Sequence, residues 1–425
     1  MSALRFCMLT TFYPPHSFGG DAIGIQRLSR ALVRRGHHVT VVHDTDAYNV
    51  LHQGAEPEAP DLDNDEGVEV VRLRSSTPGL STLLTQQLGR PVMQGRRIQR
   101  LIAAGNYDVV NFHNVSLIGG PGIFRYAGDA VTLYMAHEHW LVCPMHVLWR
   151  HRRERCTGRE CIRCAIAYKR PPQLWRNTGF LERELEHVDA IIAMSEFSRA
   201  KHAEFGFPRE MEVLPYFLPD PASDLAPATE GEAPRERPYF FFAGRLEKIK
   251  GLDDVIPIFR DYPDADLVIA GDGEYAAELR SQAAGMPNVI FLGRVSPDDL
   301  GRYYQHAIAS LVPSVCFETF GIVLIEAFRQ GTPVLARRLG PFPEIIEQSG
   351  GGELFWTPEE LVAAMRRLQG NAAYRRQLSQ AGYRAYVELW SERAVVPRYL
   401  DIVRRAAERR GRSRVLDALA TQEVA

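Results

Sequence analysis

Glu318 and Glu326 stand with seven residues between them in the stretch PSVCFETFGIVLIEA, Pro313–Ala327. A Pro-Ser exit from the apolar run Ala307–Val312 leads into a short loop and then an apolar helix, expected over Ile322–Arg329. Such a strand-loop-helix unit aims backbone N–H groups at whatever lies before the helix. Glu318 falls in the loop and Glu326 about two turns further on, so the carboxylates cannot pair but can hold two ends of one ligand. A second group lies upstream in FAGRLEKIKG, Phe242–Gly251, where Arg245 and Lys250 share a glycine-bounded loop. Arginine grips phosphate oxygens in a fork and lysine adds a compact charge, so the pair suits a diphosphate. In IAGDGEY, Ile269–Tyr275, the glycines permit a turn and imply no ligand.

The amino-terminal half offers different chemistry. His113 follows the apolar run Val109–Phe112, and His137 follows Thr132–Ala136. Polar residues at strand ends of an α/β sheet point toward its ligand crevice. The loop Pro14–Gly20 ends in Gly19 and Gly20 ahead of a helix that begins near Asp21. Glycines let the backbone approach a ligand, and a helix start favours negative charge. Asp21 can bond an acceptor or simply serve that first turn.

These residues need scaffolds. At 425 residues the chain is too long for one core and predicts two domains. Composition is ordinary for a globular protein, and a net charge of -2 argues against a general nucleic-acid binder. No apolar run reaches the roughly 18 residues of a membrane span, and the amino terminus lacks a signal-peptide pattern, so a cytoplasmic protein is expected. Strands are expected at Phe6–Thr10, His38–His43, Val68–Leu73, Val109–Phe112, Thr132–Ala136 and Ala190–Met194, with a helix over Ala22–Arg35. Helices between short apolar strands make parallel βαβ units. Asn49–Glu66 is acidic and proline-rich and reads as a loop. Asp220–Arg235, rich in proline, alanine and acid, reads as a linker. The second half restarts at Tyr239–Ala243, then Asp266–Ala270, Val289–Leu292, Ala309–Val312 and Pro333–Leu335. Two doubly wound α/β domains follow, with ligands at the carboxyl ends of their strands.

The Glu318/Glu326 spacing, the GRL-then-KG loop and the Gly-Gly loop together resemble the large family of retaining glycosyltransferases with a Glu-x7-Glu motif (glycosyl transferases group 1, family 4 type). The resemblance is fullest over Tyr239–Pro343, extends to Phe6–His43 and Val188–Pro215, and hardly touches the segment after His137. It implies a GT-B fold, with two Rossmann-like domains facing across a cleft. Residues 1–218 would bind the acceptor, 219–236 would link, 237–393 would bind the donor, and 394–425 would cross back as helices to the first domain. It implies that Arg245 and Lys250 hold the nucleotide diphosphate and stabilise it as leaving group. Glu326 would take the ribose hydroxyls and Glu318 those of the transferred sugar. The backbone of Phe320, Gly321, Ile322 and Val323 would meet sugar and phosphate, and the strand end at Arg294 and Val295 the nucleobase. Gly19 and Gly20 would lie against the donor phosphate, with His137 beside the reacting sugar. Asp21, His113 and Arg199 are acceptor-side candidates, and Ser195 in AMSEFSRAKH fits the family pattern. Front-face attack is implied, the leaving diphosphate helping to take the acceptor proton, with no catalytic metal. UDP is the expected base on family frequency. The chain departs from the family at Pro215-Tyr216-Phe217, where Pro-Asn-Gly is usual.

Residues 139–176 look specialised. Cys143, Cys156, Cys161 and Cys164 are spaced x12, x4 and x2. A structural zinc on the four thiolates, disulfides, a redox or iron–sulfur role and unliganded thiols all remain open, with His139 and His146 as substitute ligands. From Trp149 to Arg176 there are nine Lys or Arg against two Glu, with a tryptophan at each end. That reads as a solvated basic loop, or as an acceptor wall or peripheral contact with the inner face of a membrane. Bacterial relatives often glycosylate lipid-linked or polysaccharide acceptors. Beside sugar transfer stand two other readings, a sugar-phosphate synthase or phosphorylase on the same fold and a catalytically silent nucleotide-sugar-binding scaffold.

Overall fold

The computed structural model describes residues 3–52, 63–223 and 232–423. Most of the acidic loop 49–66 and the middle of the linker lie outside the described residues. The chain divides into two units, Met1–Pro215 with Val395–Ala425, and Tyr216–Ala394.

The first unit is built on strands β1 (Arg5–Thr10), β2 (His38–Asp44), β3 (Asn64–Asp65), β4 (Val68–Leu73), β5 (Val109–Phe112) and β6 (Val131–Ala136). A small hairpin, β7 (Trp149–Arg150) with β8 (Glu154–Arg155), stands apart, and β9 (Ala190–Ala193) and β10 (Glu212–Val213) complete the sheet. The order is β10-β9-β6-β5-β1-β2-β4-β3, parallel except for the edge pair β3–β4. From β1 the chain winds one way to β4; from β5 it winds the other way to β10. The reversal between β1 and β5 leaves a crevice at their carboxyl ends. Strands such as Val109–Phe112 are buried on both faces, which is why they read as unbroken apolar runs. Helix Gly20–Arg34 turns Ala22, Ile25, Leu28 and Leu32 inward at helical spacing.

The carboxyl-terminal helix Glu392–Arg410 packs on this unit. Asn111 Nδ2 donates to Tyr399 Oη at 3.1 Å, and Arg405 and Arg410 pair with Glu212 and Asp189 at 3.1 and 3.2 Å.

The second unit carries β11 (Tyr239–Ala243), β12 (Asp266–Ala270), β13 (Val289–Gly293), β14 (Ser310–Val312), β15 (Val334–Arg337) and β16 (Gly352–Phe355). All six are parallel, in the order β13-β12-β11-β14-β15-β16. Its core holds Phe240, Leu267, Ile269, Leu311 and Leu335, all buried. Buried Asp266 at the start of β12 takes Arg235 at 3.0 Å and Arg237 at 2.9 Å, fixing where the chain re-enters the fold. The winding direction reverses between β11 and β14. That places the loops after these two strands side by side.

Candidate active site

Arg245 and Lys250 lie in the loop after β11, and Glu318 in the loop after β14. Two backbone devices press the loops together. Val315 N–H donates to Ile249 O at 2.9 Å. Gly251, at φ +74°, sits where an added Cβ would fall 2.2 Å from Pro313 O, so only glycine lets the lysine loop close on its neighbour.

Lys250 Nζ consequently reaches Glu318 Oε1 at 2.7 Å, and Ser314 Oγ donates to the same oxygen at 3.0 Å. Burial opposes charge on both partners. It pushes the Glu318 carboxyl up, but Lys250's charge and hydrogen bond, Ser314 and Arg245 outweigh it and hold the group below the usual range. For Lys250 burial works downward, and Glu318 reverses it to a raised value. Arg245 is about half exposed and pairs with Glu247 at 2.6 Å. Two cations, Lys250 and Arg245, and two carboxylates, Glu318 and Glu247, therefore converge at the switch point of the sheet. Ser314, which anchors Glu318, was not singled out from sequence; its place in the Pro-Ser exit was the available signal.

Helix Ile322–Arg329 starts after Gly321 at φ +108°, where a Cβ would strike the Phe342 ring at 2.7 Å. Glu326 lies on this helix, close enough that its charge, after burial, raises the hydroxyl of buried Tyr304 well above its ordinary value. Phe320 is buried against Tyr216 and Trp390, with ring centres 5.9 and 6.5 Å apart. The departure from the family at Tyr216 is thus a packing contact of the Glu318 loop. Arg294 and Val295 follow directly on β13, and Gly293 O accepts from Gly271 N–H at 2.7 Å.

In the first unit the two histidines meet. His113 Nδ1 and His137 Nε2 are 2.9 Å apart, with ring centres at 5.2 Å, and His113 Nε2 contacts Met8 Sδ at 3.5 Å. Burial pulls His137 down to about 4 and His113 well below its ordinary value, with His137 adding to the latter. Both are neutral imidazoles at neutral pH. Glu138, missed from sequence, joins the two strand ends: Asn114 Nδ2 donates to its Oε1 at 2.8 Å, and its other oxygen pairs with His146. Its position directly after a strand-terminal histidine was the available signal. Asn114 O also accepts from Thr11 N–H at 2.5 Å, tying the loops after β1 and β5.

Gly19 is the extended residue before helix Gly20–Arg34, and Asp21 is in its first turn. Arg199 is half exposed and pairs with Glu196 on its own helix, while Ser195 caps that helix by accepting from Ser198 N–H at 3.0 Å. Ser195 is accounted for structurally.

Two expectations for residues 139–176 need correction. Among the described residues no group of three or more His, Cys, Asp or Glu side chains could hold a metal ion, so the structural zinc on Cys143, Cys156, Cys161 and Cys164 is not supported. The four line one cavity as free thiols. Burial pushes Cys143 up to about 11 and raises Cys161 and Cys164. His146 is engaged by Glu138, and the His139 ring lies against His202. The end tryptophans are not interfacial either. Trp149 and Trp175 are buried, and Arg176 stacks on Trp140 and Trp175 at 5.0 and 4.6 Å.

The description of glycosyl transferases group 1 matches residues 228–385, and that of glycosyltransferase family 4 matches 18–220. Over 375 residues the chain is 32% identical to the GDP-mannose-dependent alpha-(1-6)-phosphatidylinositol monomannoside mannosyltransferase of Mycobacterium tuberculosis, covering 82% of this chain and 84% of that protein. It is 26% identical over 419 residues to an uncharacterised glycosyltransferase of Methanocaldococcus jannaschii, covering 93% and 94%. Among solved structures, sucrose-phosphate synthase from Thermosynechococcus elongatus superposes with a TM-score of 0.71 at 19% identity, covering 95% of this chain and 98% of that one. Anabaena HepE in complex with UDP and glucose gives 0.64 at 16%, covering 94% and 99%. No described helix is long and apolar enough to cross a membrane. The chain belongs to the glycosyl transferases group 1 family and is a glycosyltransferase with the two-domain GT-B fold.

Proposed function

We propose that this glycosyltransferase takes its sugar from a nucleoside-diphosphate sugar and transfers it with retention of configuration. The observation that carries the reading is the Lys250–Glu318 pair at the β11/β14 switch point, with Arg245 beside it. Without ligand, Glu318 satisfies Lys250. A diphosphate takes over the lysine and Arg245, freeing Glu318 to accept from hydroxyls of the transferred sugar. Glu326 takes the ribose, the backbone of Phe320 to Val323 meets sugar and phosphate, and Arg294 and Val295 flank the base.

In the first unit Gly19 and Gly20 are assigned to the donor phosphate, and neutral His137 to a hydroxyl of the sugar. Asp21 and Arg199 serve the acceptor, and the exposed arginines after Trp149 form a wall of its site. The bond from the anomeric carbon to the phosphate oxygen breaks while the acceptor oxygen bonds that carbon on the same face. The acceptor proton passes to the departing diphosphate. Enzymes of this family generally need no cofactor for the transfer.

The names of the relatives point to GDP-mannose for the mycobacterial enzyme and to UDP for the Anabaena protein. Thermal-shift titration of UDP-, GDP-, ADP- and TDP-sugars against wild type and Glu326→Ala decides the base. A ligand at a hundredfold its Kd should stabilise by about 2.7 kcal/mol. One nucleotide class should raise the midpoint in wild type and not in the variant. No shift with any of the four would remove the reading.

A further inference from the structure

Cys143, Cys156, Cys161 and Cys164 line a cavity whose wall is shared by β7 and helix Cys161–Ala167. Backbone contacts hold the sulfurs there from two sides. Cys156 N–H donates to Leu148 O at 2.7 Å, which extends the hairpin, and its Sγ donates to Gly158 O at 3.1 Å. His151 N–H, in the hairpin turn, donates to Cys164 Sγ on the helix at 3.4 Å.

Access sorts the cysteines. Cys7, Cys143, Cys164 and Cys316 are buried, whereas Cys156 and Cys161 are partly exposed. These two can meet a reagent from solution, and they face each other. Burial first, and then the charge of Cys156, raises the Cys161 thiol, while Arg159 and Arg176 pull it back toward the thiolate. A charge effect between two sulfurs requires that they be close. Thr157–Glu160, with Gly158 among them, is the short connection between the two cysteines. Accessible thiols beside a second cysteine and near cations are the ones that undergo reversible oxidation.

We propose that Cys156 and Cys161 form a reversible thiol–disulfide modification site that reacts with a low-molecular-weight disulfide. One thiol loses its proton and attacks a sulfur of the reagent, which forms a mixed disulfide and expels one reagent thiolate to take up that proton. The second thiol loses its proton and attacks the protein sulfur of the mixed disulfide, expelling the other reagent thiolate. The chain gives up two electrons and two protons, and the reagent disulfide becomes two thiols. The new bond fastens the end of hairpin β7–β8 to the first residue of helix Cys161–Ala167. The site holds whatever the sugar donor and acceptor prove to be.

The test takes the full chain purified under reductant, freed of it, and incubated with oxidised glutathione. Titrated after denaturation, the chain should fall from six thiols to four, with its mass lower by two hydrogens. Peptide mapping should link Cys156 to Cys161, and dithiothreitol should restore all six thiols. Cys161→Ser should stop at the mixed disulfide, heavier by one glutathionyl group, and Cys143→Ser should still form the bond. The wild-type mapping decides the matter even where a variant fails to fold. Six thiols surviving the oxidant, or a bond mapped to another pair, would overturn the proposal. So would elemental analysis showing one zinc ion per chain in the purified protein, since the thiolates would then be metal ligands.

Discussion

Replacing Lys250 by Met separates two roles that the pair with Glu318 combines. The charged atoms are 2.7 Å apart, with side chains 20% and 24% exposed. At an effective dielectric of about 20 the gross attraction is about 6 kcal/mol, most of it offset by desolvation. Removing one partner of a buried pair destabilises by about 3–5 kcal/mol. The residual exposure here, with Ser314 and Arg245 still facing the carboxylate, reduces that to about 1–3 kcal/mol. Lys250→Met should lose this amount in urea unfolding. Lys250→Met/Glu318→Gln should regain most of it, because no uncompensated charge remains, giving a coupling of about 1 kcal/mol or more. Turnover should not follow stability. Both variants lack the cation that meets the diphosphate and should transfer about 10² to 10³ more slowly. A double variant as unstable as Lys250→Met would refute the assigned pairing, and a Lys250→Met enzyme with wild-type turnover would refute the assigned chemistry.

Arg245→Ala tests the same chemistry with little stability effect: the Arg245 side chain is about half exposed, so unfolding should stay within about 1 kcal/mol of wild type while donor affinity falls. Gly251→Ala forces a Cβ onto Pro313 O and holds a side chain at φ +74°; it should destabilise by about 1–3 kcal/mol and weaken donor binding, and a neutral substitution would contradict the loop geometry. The buried neutral pair His113–His137 makes stability depend on pH. Burial leaves the folded histidines binding fewer protons than unfolded ones near 6.5, so this stability is complete above about pH 6.5 and is lost as pH falls toward 4. His137 accounts for up to about 3 kcal/mol of it, and urea unfolding at about pH 7.5 and about pH 5 should show the loss in wild type but less in His137→Phe.

The strands were legible because parallel strands buried on both faces leave compact apolar runs. Val68–Leu73, Val109–Phe112, Tyr239–Ala243 and Asp266–Ala270 stand with the bounds expected from sequence. The edge strand Gly352–Phe355 escaped notice, since it is short, opens with glycine and is only partly buried. Individual site residues could be named, but not their partners. Lys250 and Glu318 are 68 positions apart and meet only because β11 pairs with β14 rather than with a sequence neighbour. His113 and His137 meet because β5 pairs with β6. The segment after His137 was least legible. Cysteine spacing suggested zinc and the tryptophans suggested an interface, yet burial, a property of the tertiary packing, turned Cys143, Trp149 and Trp175 inward.

Calorimetric titration of the free nucleoside diphosphate of the preferred donor, against wild type and Arg245→Ala/Lys250→Met, addresses the central claim most directly. One site per chain in wild type, weakened about a hundredfold or more in the variant, is the predicted result. Equal affinity in both proteins would mean that these two cations do not hold the diphosphate, and the donor site would have to be sought elsewhere.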